Sequence, residues 1–129
     1  MVFEDSADYD AEPSVIGAAR DFVEDFIKRG APALTVSDRQ RGAAALVTSE
    51  LVTNTVRHAP GPFRLRLELS ADQLVIAVTD GSAGQPVSRP PDPTRVGQHG
   101  MEIVLALCRS VHVELTAHGK TVIARLATS

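Results

Sequence analysis

The chain has 129 residues, enough for one domain around one core, with 43% hydrophobic and 22% charged residues. A formal net charge of −3, with no basic stripe interleaved with aromatics, excludes a nucleic-acid-binding surface as the organising feature. A single cysteine, Cys108, excludes an internal disulfide, and its apolar surroundings read as core.

The charge is uneven. Glu4, Asp5, Asp8, Asp10 and Glu12 fall in the first twelve residues with no basic residue among them, so the rest of the chain is mildly basic. Residues 1–12 therefore read as an acidic tail or edge strand, and residues 13–129 as a single domain. No apolar run approaches the roughly 18 residues that span a membrane, and the N-terminus lacks a basic-then-apolar leader pattern. The expectation is a soluble, cytoplasmic protein.

Ser14 is placed to cap a helix running to about Arg29, with Val15, Ala18, Ala19, Phe22, Val23, Phe26 and Ile27 on its apolar face. Lys28 and Arg29 suit its C-terminal dipole, Gly30 a left-handed stop, and Pro32 prevents continuation. Ser37 followed by Gln40 fits a capping box, so a second helix is predicted from near Asp38 to about His58, ended by Pro60–Gly61–Pro62. Phe63–Leu69 alternates strictly and reads as a half-exposed strand, and Leu74–Val78 is apolar on both faces and reads as a central one. Residues 81–100 then collect Gly81, Gly84, Gly97, Gly100 and four prolines without periodicity, the composition of a lid or binding loop. A third helix is predicted from Met101 to about Ser110, followed by a hairpin of Val111–Thr116 and Thr121–Leu126 across His118–Gly119–Lys120. The order predicts a two-layer α/β sandwich, with an antiparallel or mixed sheet and helices on one face.

The second helix carries the first chemical signal. At 100° per residue, Ala43, Val47, Leu51, Asn54 and His58 share a face that should turn inward, with Glu50 at its edge. A carboxylate and an amide stacked one turn apart on such a face need partners, since burying them alone costs about 1–3 kcal/mol each or more. Either neighbouring side chains satisfy them, or they line a cavity holding something polar, such as a metal ion and a nucleotide. Asp80 follows the central strand, where its carboxylate can accept from the exocyclic amine of a base. Gly97–Gln98–His99–Gly100 opens a helix, where bare backbone amides and the helix dipole favour phosphate. An amide oxygen suits the inner shell of Mg²⁺. No Walker-type phosphate loop, zinc-ligand spacing or nucleophile elbow competes with this set.

The same residues carry a family resemblance. Ser49–Glu50–Leu51–Val52–Thr53–Asn54–Thr55–Val56–Arg57–His58–Ala59 resembles the N-box of GHKL (histidine kinase-like) ATPases, in the form found in bacterial anti-sigma factor serine kinases. Val78–Thr79–Asp80–Gly81–Ser82 resembles the first glycine box, Gly97–Gln98–His99–Gly100–Met101–Glu102–Ile103–Val104 the second, and Gly119–Lys120–Thr121–Val122 the short last motif. The resemblance covers about residues 13–127 and implies the Bergerat ATP-binding fold. It implies that Asn54 coordinates Mg²⁺ on the ATP phosphates and that Glu50 is the general base. Asp80 then bonds the adenine amino group, Gly84, Gly97 and Gly100 shape the lid and phosphate cradle, and Thr121 lies near the adenine end. It further implies an ATP-dependent protein-serine kinase that phosphorylates an anti-anti-sigma protein, sequesters a sigma factor and forms a homodimer. Ser82 stands where the family's first box usually has glycine, and Gln98–His99 where its second often has glycine and arginine. These departures favour an alternative, a catalytically inactive, nucleotide-gated interaction module of the same fold.

Overall fold

A computed structural model of the chain describes residues 1–59, 61–81 and 98–129. The described elements are β1 (Phe3–Tyr9), α1 (Val15–Gly30), α2 (Asp38–His58), β2 (Phe63–Leu69), β3 (Gln73–Asp80), α3 (Gln98–Leu107), β4 (Ser110–Thr116) and β5 (Gly119–Ala127). The five strands form one sheet in the order β1-β2-β3-β5-β4, with every neighbouring pair antiparallel. The two-layer α/β sandwich predicted, with an antiparallel or mixed sheet and helices on one face, is found in its antiparallel form.

Alternation decides which face each strand turns inward. Phe63, Leu65, Leu67 and Leu69 of β2 are buried while Arg64 and Arg66 are exposed. Leu74, Ile76 and Val78 of β3 and Ala124 and Leu126 of β5 continue the same layer under Ala19, Val23 and Phe26 of α1 and Val47, Leu51 and Val52 of α2. β1 adds its inward residues at the edge. Phe3 stacks on Phe26 with ring centroids 4.8 Å apart, and the Arg29 guanidinium lies 5.6 Å from the Phe3 ring. Arg29 also bonds Asp5 at 2.7 Å and Asp25 at 2.8 Å, which ties α1 to the acidic strand. The hydrogen bond from Arg29 holds the Asp5 carboxyl below its ordinary value, and that from Arg64 does the same for Asp8.

Three local expectations change. Ser14 makes no side-chain cap; its backbone is already helical, and the chain enters α1 through a turn in which Val15 N–H donates to Glu12 at 3.0 Å. Gly30 is not a left-handed stop, since Gly61 (φ 116°) is the only positive-φ glycine among the described residues. Its value is space instead: a Cβ there would come within 2.9 Å of Leu69 Cδ2. Ser37 does cap α2, accepting from Gln40 N–H at 3.2 Å, but Gln40 does not complete the box. Its side chain donates to the Ala127 carbonyl at 2.8 Å, and Ser37 N–H donates to Thr128 at 2.8 Å. The start of α2 is thus pinned to the last strand. α3 begins and ends three residues earlier than predicted, at Gln98 and Leu107.

Phe26, fully buried between β1 and the core, carries the α1–sheet contact. Phe26→Ala is expected to lower unfolding free energy by about 3–5 kcal/mol in urea titration. Asp8→Asn, at the exposed Asp8–Arg64 pair, should leave the midpoint nearly unchanged. Because folding lowers the Asp5 and Asp8 pKa values, what these carboxylates contribute is complete above their unfolded value of 3.8 and lost as pH falls through the lower folded one.

Candidate nucleotide site

The direction of α2 sets the site. Its first turn is bonded to Ala127 and Thr128, and Ala127 stands opposite Gln73 at the start of β3. Twenty-one residues at 1.5 Å give about 30 Å, against about 26 Å for the eight residues of β3. The helix therefore traverses the sheet and ends near the strand end that bears Asp80, where β2 begins with Phe63 as the register partner of Asp80. Glu50 and Asn54 lie on its second half, one turn apart, both half-buried.

The inward stripe of α2 is rotated from the expected one. Ala43, Ala44, Val47, Thr48, Leu51, Val52 and Thr55 are buried, whereas His58 is exposed in the last turn beside Arg57. Two threonines fall in this stripe because each hydroxyl finds a partner in its own helix, Thr48 on Ala44 O at 2.8 Å and Thr55 on Leu51 O at 3.1 Å. The stripe leaves Glu50 and Asn54 on its margin, one turn apart, with Glu50 against the first turn of α3. The Glu50 carboxylate lies against Gly100 so closely that a Cβ on Gly100 would overlap it, with Glu50 Cδ only 2.9 Å away. The first turn of α3 and the carboxylate of α2 are thus brought together, which joins two of the three sequence motifs. A negative group at a helix N-terminus is stabilised by about 0.3–1 kcal/mol.

The third motif, Asp80, closes β3 at the same end of the sheet. It is 3% exposed and is the one charged side chain among the buried described residues. Strand alternation puts it on the helix-covered face with Val78, and its partner in register on β5 is Lys120. Lys120, predicted to lie in the hairpin turn, is instead placed beside Asp80 by the pairing of β5 with β3. Thr121 is at the same strand end but faces the other way, with its hydroxyl 2.9 Å from that of Thr79. Gly119, opposite the end of β3, has no room for a side chain: a Cβ would strike the Asp80 carbonyl and lie 3.2 Å from Gly81 Cα. Gly84 and Gly97, with most of the expected lid, lie outside the described residues.

A half-buried carboxylate, an amide, a buried strand-end carboxylate and a glycine-opened helix match the donors and acceptors that a nucleotide and its Mg²⁺ require. The residues present suit the group. A separate groove of about 470 Å³ between α1 and α2, edged by Arg20, Glu24, Asp38 and Arg41 around Gly42, includes none of them.

A family model described as Histidine kinase-like ATPase domain matches residues 9–126. Among solved structures, the histidine kinase domain from Erythrobacter litoralis EL346 blue-light activated histidine kinase is similar at 21% identity and a TM-score of 0.59, over 89% of this chain and 60% of that one. The Erythrobacter litoralis EL346 blue-light activated histidine kinase itself is similar at 18% identity and a TM-score of 0.47, over 89% of this chain and 44% of that one. The chain thus spans 60% of the first and less than half of the second. No curated protein matches. None of the described helices is long and apolar enough to cross a membrane.

The two close-packed glycines should respond differently to alanine. Gly100→Ala pushes a movable side-chain end, so the fold is expected to survive with Glu50 displaced and ATP affinity reduced about tenfold or more. Gly119→Ala strikes backbone and should lower the melting temperature by several degrees. Paired calorimetry and thermal melts distinguish the two.

Proposed function

We propose that this chain, which belongs to the histidine kinase-like ATPase domain family, is an ATP-dependent protein-serine kinase acting on a small anti-anti-sigma protein and sequestering a sigma factor. The observation that carries the proposal is the meeting of Glu50 with Gly100. It sets a carboxylate at the helix start where phosphate is favoured, which is where a base acting at the γ-phosphate has to stand. The resemblance of Ser49–Ala59 to the N-box of anti-sigma serine kinases supplies the choice of serine and of partners.

In this reading ATP is the phosphoryl donor and Asn54 the residue that would hold Mg²⁺, which neutralises charge on the phosphate oxygens when bound. Asp80 takes the adenine amino group, which selects adenine over bases that present a carbonyl there. Gly100 leaves the start of α3 open to the phosphates. Glu50 removes the proton from the serine Oγ as that oxygen bonds the γ-phosphorus, and ADP leaves with the electrons of the broken bond. Half-burial suits the task, because the carboxylate is shielded yet within reach of a docked side chain. Lys120, on the face of Asp80, adds a positive charge at the same strand end.

Glu50→Gln is expected to keep the melting temperature and ATP affinity close to wild type and to reduce phosphoserine formation on the partner by roughly 10²–10⁴-fold. Asn54→Ala should lose Mg²⁺-dependent ATP binding and transfer together, and Asp80→Asn should weaken ATP binding. Isothermal titration and phosphoserine mass spectrometry on the same variants provide the readouts. Transfer that survives Glu50→Gln removes Glu50 from the role of base. A wild type that binds ATP without transfer, yet binds its partner in a nucleotide-dependent way, establishes instead the non-catalytic module that Ser82 favours.

A further inference from the structure

Lys120 stands in surroundings that do not suit an ammonium. It is the second residue of β5, half-buried, on the face of the sheet that bears the helices. Val122 is the next residue on that face of its own strand, Val78 and Val113 flank Val122 in register, and Leu115 flanks Lys120 on β4. The remaining neighbour is Asp80, directly opposite on β3 and 3% exposed. An ammonium in an aliphatic ring thus has one carboxylate beside it. Among the described residues it enters no ion pair or side-chain hydrogen bond. Leu115 is 64% exposed although it is on the helix side, so the described helices leave this corner of the sheet open to a ligand.

We infer that Lys120 determines base specificity in the nucleotide site, its ammonium donating to N1 of adenine while Asp80 accepts from the neighbouring amino group. The inference rests on the ATP-binding reading above and does not require phosphoryl transfer. Facing side chains on antiparallel strands have Cβ atoms about 4.5–5.5 Å apart, and the long lysine stem brings the ammonium alongside the carboxylate. The strand end then offers an acceptor beside a donor. Adenine presents the complement on one edge, a donor N–H on the amino group beside the N1 acceptor. A carboxylate alone reads the first of these; the lysine, which can only donate, reads the second. Both contacts are charge-assisted, and the ammonium offsets the cost of covering the carboxylate with a base. Hypoxanthine places a carbonyl against Asp80 and an N–H against Lys120, a mismatch at both positions.

The test is calorimetry of the full chain with ATP, 1-deaza-ATP and ITP, each with Mg²⁺. The first analogue keeps the amino group and replaces N1 by C–H. Wild type should bind 1-deaza-ATP about tenfold more weakly than ATP, and ITP at least as weakly. Lys120→Met keeps the stem and removes the donor. It should bind ATP about tenfold more weakly than wild type and 1-deaza-ATP as well as ATP. Lys120→Ala asks for no space and reads the same ratio should the methionine variant not fold. A lysine that only supports the fold would lower affinity for both ligands alike and leave their ratio intact. A variant that still prefers ATP to 1-deaza-ATP tenfold therefore overturns the inference. So does a wild type that binds ATP no better than 1-deaza-ATP or ITP, and either result leaves ATP binding itself standing. A wild type that binds no ATP overturns the nucleotide reading and this inference with it.

Discussion

The packing of α2 along one face of the sheet is the constraint on which the rest depends. The helix is fixed at its start by two bonds to the end of β5, and β2 is the next element in the chain. Between these points Val47, Leu51 and Val52 are buried against Leu65, Ile76 and Val78. A helix tethered at its start and packed along its length has little freedom to rotate. The side chains on its margin are therefore delivered to one place, and Glu50 and Asn54 owe their position to apolar residues that have no chemical role. A change at Leu51 or Val52 would be felt at Glu50 through rotation of the helix. This separation of duties, with packing residues inward and acid and amide at the rim, lets one helix serve as both core and site.

The electrostatics of the rim follow from the same geometry. α3 presents its first turn to α2, and the group facing it is a carboxylate. The partial positive charge of the helix start is thereby met within the protein. In the proposed reading a phosphate approaching this turn would share it with Glu50, and a cation held nearby would offset the two negative charges. Asn54, a neutral oxygen donor one turn further along α2, is the residue that would hold it in that reading. Asp80 stands apart on the sheet, so in the proposed reading the carboxylate for a base and the groups for phosphate belong to different layers of the fold.

Much of this was legible in the chain. Strict alternation over Phe63–Leu69 placed β2 to the residue, and the spacing of Ser37, Pro60 and Gly61 bounded α2 correctly. What was not legible has physical causes. Thr48 and Thr55 look polar, but a hydroxyl that bonds its own helix is cheap to bury, so the inward stripe of α2 turned away from the expected one and left His58 in solvent. Gly30 looked like a helix stop because sequence shows missing side chains but not the Leu69 methyl that needs the space. Ser14 looked like a cap although turn bonds upstream already started α1. Thr121 was placed at the correct strand end, yet its face depends on pairing parity with β3, which a single strand does not encode. The meeting of Glu50 with Gly100 joins residues 50 apart in sequence, and only the resemblance of the two motifs pointed to it.

The outer face of the sheet is closed without the help of a described helix. Val75, Ala77 and Ile123 form a small apolar patch on the side away from the described helices, yet they are 5%, 1% and 6% exposed. Polar residues stand beside them on the neighbouring strands. Ala77 stands in register with Arg66, Val75 with Glu68 and Arg125, and Ile123 with His112, so long polar side chains surround a patch of short ones. The stems of such side chains bury apolar neighbours while their charged ends stay in water. Arg66 and Glu68 are joined at 2.7 Å, which holds part of that cover in place. A face closed in this way offers a partner little apolar area to gain and several charges to desolvate.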